Sequence, residues 1–120
     1  MAVLGIDHVQ IAAPFGCEAA ARVFYGELLG LEELPKPEPL RARGGVWFRV
    51  GAQELHIGVE EPFAPARKAH PGFADSNLHA LRGRLRAAEV DYADDDKIVG
   101  VDRLFVSDPF GNRLEVRQGP

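Results

Sequence analysis

The chain is 120 residues long, 46% hydrophobic and 27% charged, which is the make-up of one ordinary globular domain. Its net charge of −4 leaves no basic footprint for nucleic acid, and no apolar run approaches the roughly 18 residues of a membrane span. The start lacks a basic region followed by an apolar core, and a lone Cys17 cannot close an internal disulfide, so the expected setting is the reducing cytoplasm.

Apolar and polar residues alternate around His8, from Ile6 to Ile11, as in a half-buried strand. Pro14-Phe15-Gly16 breaks it. A helix is expected from about Cys17 to Leu29, with Ala20, Val23, Phe24 and Leu28 as its buried stripe and Gly30 just past its end. Leu31 to Leu34 reads as a short strand. Pro35-Lys36-Pro37-Glu38-Pro39 reads as a loop, because proline is excluded from a helix interior. Val46 to Val50 is the next strand, Gly51-Ala52 a turn, and Glu54 to Glu60 the partner strand.

Glu61 to Lys68 reads as a linker, and the order then repeats. His70 to Ala74 begins a strand, with Pro71 marking an edge or entry position. Asp75 or Ser76 caps a helix to about Ala88 that turns Leu78, Leu81 and Leu85 inward. Val90 to Ala93 is a short strand and Asp94-Asp95-Asp96 an acidic, solvated turn. Arg103 to Ser107, a turn at Asp108 to Asn112, and Arg113 to Arg117 complete the pattern. Each half is strand, helix, then three strands. The expected organisation is one domain built from a module over 1–61 and a module over 69–118.

Four residues carry the chemistry. His70 follows His8 by 62 positions, and Glu115 follows His56 by 59. Each half therefore holds one candidate ligand early and one late. His8, His56 and Glu115 are flanked by apolar neighbours that must face the other way along a strand. A duplicated fold aims all four at one point, where imidazole and carboxylate suit a divalent ion such as Zn, Ni, Co, Mn or Fe(II).

Asp7-His8-Val9, Phe24 to Leu31, Leu55-His56-Ile57, His70 to Phe73 and Asp108 to Glu115 together resemble the vicinal oxygen chelate superfamily, the glyoxalase, bleomycin-resistance and dioxygenase group. The resemblance covers nearly the whole chain and rests on the order and spacing of segments, none specific alone. It implies an α+β fold of two paired βαβββ modules forming a cupped mixed sheet around a metal, and a homodimer. It also implies His8, His56, His70 and Glu115 as metal ligands. Glyoxalase I commonly has a carboxylate where His56 stands. Fosfomycin-modifying transferases and extradiol dioxygenases use two histidines and one glutamate, a set that His8, His70 and Glu115 would match.

As the only carboxylate of the four, Glu115 is the candidate catalytic base. Its competing assignment is an ion pair with Arg113 or Arg117 on the same face. His56 is either a fourth ligand or a hydrogen-bonding group for substrate. Gln10, Trp47, Arg49 and Phe105 are candidate substrate contacts, and Arg103 a further candidate for an anionic group. His79 falls outside the duplicated pattern and reads as helix surface. The reading is a metal-dependent lyase or isomerase of the glyoxalase type acting on a small oxygenated molecule. The alternatives are a metal-free drug- or metabolite-binding protein, a thiol transferase and an extradiol dioxygenase.

Overall fold

Along the first strand, β1 (His8–Ala13), side chains alternate between two faces, and Ala13 ends it fully buried. β1 runs parallel to β4 (Gln53–Val59), which is antiparallel to β3 (Val46–Val50); β2 (Glu32–Leu34) closes the sheet in the order β1-β4-β3-β2. The computed structural model describes residues 2–120, and its chain divides into two compact units, up to Ala64 and from Pro65 onward. In the first unit Val46, Phe48, Leu55 and Ile57 are buried on one sheet face, each such side chain contributing about 1.5–3 kcal/mol by leaving water. Phe48 meets Tyr25 of the helical segment at 5.8 Å between ring centroids.

That segment is α1 (Glu18–Ala21), which widens into a π-helical stretch over Arg22–Leu28. Its buried residues are Cys17, Ala21, Phe24 and Tyr25, whereas Ala20 is exposed and Val23 is 57% exposed. The stripe expected at Ala20 and Val23 is thus corrected: the inward face starts at Cys17, and the wide turn brings the adjacent Phe24 and Tyr25 both inward. The expected loop at 35–39 is also corrected in part. It runs into a helical turn, α2 (Glu38–Arg41), which accepts Pro39 because first-turn N–H groups lack intrahelical partners.

The second unit repeats the plan with β5 (Gly72–Asp75), α3 (Leu78–Ala87), β6 (Tyr92–Asp95), β7 (Arg103–Ser107) and β8 (Arg113–Gln118), in the sheet order β5-β8-β7-β6. Leu78, Leu81 and Leu85 are fully buried, as are Leu104 and Leu114 of the sheet. Each unit is a βαβββ module with a mixed four-stranded sheet, so the fold is α+β. The helix cap is Asn77 rather than Asp75 or Ser76: its side chain accepts from the Ala80 N–H at 3.0 Å. Asn77→Ala is expected to cost about 1 kcal/mol. Urea unfolding would show this as a lower midpoint at unchanged slope.

The expected acidic turn at 94–96 is largely strand. Asp94 and Asp95 lie in β6, and alternation sends them to opposite faces. Arg82 of α3 holds Asp94 at 2.9 Å and Asp102 at 2.6 Å, while Arg103 holds Asp95 at 2.7 Å. The cations waiting on each face, invisible to local composition, make a strand of an acidic run. Among the described residues no helix is long and apolar enough to cross a membrane.

The two sheets share one register. Gln10 pairs with His56 across β1 and β4, and Gly72 pairs with Glu115 across β5 and β8. His8 and His70 each stand two residues before those partners. On the other side of the ladder, Trp47 faces His56 and Phe105 faces Glu115. The sequence offsets of 62 and 59 therefore correspond to equivalent rungs of two similar sheets.

Candidate metal and substrate site

In the first unit the register stacks three rings. Trp47 lies on His56 at 3.7 Å between centroids and 1° between planes, and His56 lies on His8 at 4.2 Å and 19°. His56 is buried, its ring sandwiched, and its Nε2 donates to Glu54 Oε1 at 2.9 Å. His8 is partly exposed and uses the other nitrogen: Nδ1 donates to Asp7 Oδ1 at 2.9 Å, which leaves Nε2 open. A carboxylate on Nδ1 is the usual support for a histidine that binds metal through Nε2. His8 has that arrangement and His56 has its reverse.

In the second unit His70 precedes β5 rather than opening it, and its Nδ1 donates to the Lys68 carbonyl at 2.8 Å. Its Nε2 faces Glu115 Oε1 at 3.1 Å. Glu115 is buried on β8, and its Oε2 accepts from Arg117 and stands 3.3 Å from Arg103 Nη1. Burial pushes the Glu115 carboxyl up, but hydrogen bonds from Arg117, His70 and Arg103 outweigh it and hold the group below the usual glutamate range. Arg113 does not pair with Glu115; it lies over the Phe105 ring at 4.2 Å.

Both His70 nitrogens thus face acceptors. A carbonyl and a carboxylate each offer lone pairs, so the ring is held at both nitrogens. Two donors bound to one ion at about 2.0–2.2 Å, at a near right angle, stand about 3 Å apart. The observed 3.1 Å is an ordinary hydrogen-bond length and is also close to that edge, so the same two atoms can serve as a nitrogen–oxygen pair of donors to one ion. Among the described residues no group of three or more His, Cys, Asp or Glu side chains lies close enough to hold a metal.

Each unit also has a cavity beside its ladder aromatic. The first, about 540 Å³, includes Leu34 and Trp47; the second, about 840 Å³, includes Ala93 and Phe105. These are equivalent places, since Leu34 pairs with Trp47 as Ala93 pairs with Phe105. Trp47 and Phe105 each line the cavity of their own unit. Gln10 lies across Gly58, where an added Cβ would come within 2.6 Å of its Nε2. Arg49 is taken up by Glu32 at 3.2 Å, and Arg103 by Asp95 and Glu115, so neither is free for an anion. His79 is exposed on α3. The strand reading missed Glu54 and Asp7 as histidine supports; their signal was a carboxylate one or two residues before each histidine. It also missed Arg103 as a partner of Glu115, a contact that becomes visible only once β7 and β8 are in register.

Against solved structures, the chain superposes on a glyoxalase family protein from Bacillus anthracis with a TM-score of 0.94 and 51% identity, covering 98% of this chain and 97% of that one. It also matches a lactoylglutathione lyase from Agrobacterium tumefaciens (TM-score 0.76, 23% identity, 99% and 96% covered). A third match is the fosfomycin resistance protein FosX from Listeria monocytogenes (0.74, 13%, 98% and 95%). The last two share the fold. No family model matches the chain, and no curated protein matches it either. The identity and coverage of the first comparison show that the chain belongs to the glyoxalase family, within the vicinal oxygen chelate superfamily.

Proposed function

We propose that the chain is a metal-dependent enzyme of the glyoxalase type, a lyase or isomerase acting on a small oxygenated molecule. His70 and Glu115 supply a nitrogen and an oxygen to the ion, and the open Nε2 of His8 is a further candidate donor that would give a two-histidine, one-carboxylate set. His56, with Nε2 committed to Glu54, holds the His8 ring by stacking rather than serving as a ligand. The carrying observation is the His70 Nε2 to Glu115 Oε1 separation of 3.1 Å with Nδ1 anchored on a carbonyl. A divalent ion there supplies Lewis-acid stabilisation of negative charge on adjacent substrate oxygens. Glu115, kept ionised by its guanidinium partners, accepts the substrate proton. Trp47 and Gln10 in the first unit, and Phe105 in the second, are the candidate contacts for the molecule.

Metal analysis of protein purified without an affinity tag tests the reading. Stoichiometric Zn, Ni, Co, Mn or Fe is expected, lost in His70→Ala and in His8→Ala but retained in His56→Gln. A metal-free protein, or one whose metal survives both alanine variants, sinks this assignment. A second reading has its own support: the two guanidiniums on Glu115 already neutralise it without an ion. A sequestering protein that binds its ligand equally well with Glu115→Gln and without metal would establish that reading instead.

A further inference from the structure

The cavity of the first unit carries an uncompensated charge. Arg22, Lys36, Arg41 and Arg43 line it against two carboxylates, Glu18 and Glu33, in a chain whose net charge is −4. Both carboxylates are occupied. Glu33 accepts from Arg22 Nε at 2.9 Å, and Glu18 accepts from the Gly45 N–H at 2.7 Å. That N–H is the main reason the Glu18 carboxyl lies below the usual range. Lys36 and Arg41 donate to backbone carbonyls instead, Lys36 to Gly44 and Arg41 to Lys36 at 3.1 Å. Together with Arg43 they have no carboxylate partner among the described residues. Four cations against two carboxylates leave a surplus of two positive charges in one concavity, which raises the local concentration of anions. The glycine turn and the two backbone bonds keep the loop that carries them in place without using up their charge.

We propose that this cavity takes the anionic group, a carboxylate or a phosphate, of the small molecule on which the chain acts. Lys36, Arg41 and Arg43 are its cationic partners and Trp47 its wall. The inference rests on the enzyme reading above only in assigning the anion to a substrate. Trp47 links the two places, because it lines the cavity and stacks on His56.

Trp47 is the only tryptophan, so its fluorescence reports on this cavity and on the His56 ring it stacks against, and the arginine variants separate the two. The protein as isolated is titrated with inorganic phosphate and, separately, with malonate, at constant ionic strength set by sodium chloride. A saturable fluorescence change is expected with one or both anions. Phosphate alone assigns a phosphoryl or phosphonate group, and malonate alone a carboxylate. Arg41→Gln and Arg43→Gln should each weaken binding about tenfold, the loss of one charge-assisted hydrogen bond. Lys97→Gln, an exposed cation outside the cavity, should leave it unchanged. A non-saturable response, an equal response to chloride, or indifference to both arginine variants overturns the proposal. So does equal weakening by Lys97→Gln. An anion bound only at the histidines would not feel Arg41→Gln or Arg43→Gln. Metal content measured on the same samples reports separately on the enzyme reading.

Discussion

Gly45→Ala is expected to lose roughly 4 kcal/mol of stability or more, enough to leave a marginal domain largely unfolded. Gly45 has φ +89°, and a Cβ built on it falls 2.2 Å from the Ile57 carbonyl oxygen, a backbone atom of the neighbouring strand. Neither the left-handed backbone nor the contact can relax without breaking the β3–β4 ladder, where Val46 pairs with Ile57. Gly51→Ala is the control. Its φ is +59°, but nothing lies within 4 Å of the added atom, so only the conformational cost of about 1 kcal/mol applies. Urea denaturation of both variants gives the comparison, and similar midpoints would show that the close approach is not what holds the turn. The same substitution would also dislodge Glu18 from the Gly45 N–H and shift Arg41 and Arg43 with the loop.

The second large effect is at Glu115. Glu115→Gln keeps the shape but removes the charge that Arg103 and Arg117 share, and sets an amide N–H₂ against one of their donors. Breaking this buried cluster should cost about 2–4 kcal/mol, less than a fully buried pair because Arg117 is 44% exposed and Arg103 keeps Asp95. Its folded-state pKa is lowered, so its ionic contribution is fully present above the ordinary glutamate value and is lost as pH falls through the lower folded value. Acid unfolding of the parent should therefore be steep below about pH 4, and shallower in the variant. Turnover of a hemithioacetal or other oxygenated substrate should fall about 10²–10⁴-fold even with metal restored, the share of a positioned base. A metal-loaded, fully active Glu115→Gln protein would remove Glu115 from the chemistry.

How far the sequence speaks depends on the range of the interaction. Period-two alternation located the strands that carry His8, His56 and Glu115, because a slip of one residue would exchange the polar ligands with the apolar neighbours that face the other way. Leu78, Leu81 and Leu85 declared the inward face of α3. The first helix was mis-phased because its buried stripe begins at Cys17, whose apolar character is easy to overlook, and because a π-helical turn departs from the expected period. Asp94 and Asp95 looked like a solvated turn because Arg82 and Arg103 are 12 and 8 residues away. The candidate ligands were legible as a repeated spacing. Which nitrogen each histidine leaves open was not, since Asp7, Glu54 and the Lys68 carbonyl choose it through geometry that only the folded backbone supplies.

The shared register of the two sheets bears on how such a chain can change. Rung 56 and rung 115 occupy the same place in their ladders, yet one carries imidazole and the other carboxylate. The same rung of the ladder therefore carries either side chain, even though the stretch between the two ligand positions is three residues shorter in the second half. A single substitution at one rung re-specifies the hardness and charge of a donor while the opposite half stays as it was. Two copies of one architecture can in this way drift chemically and remain in step mechanically.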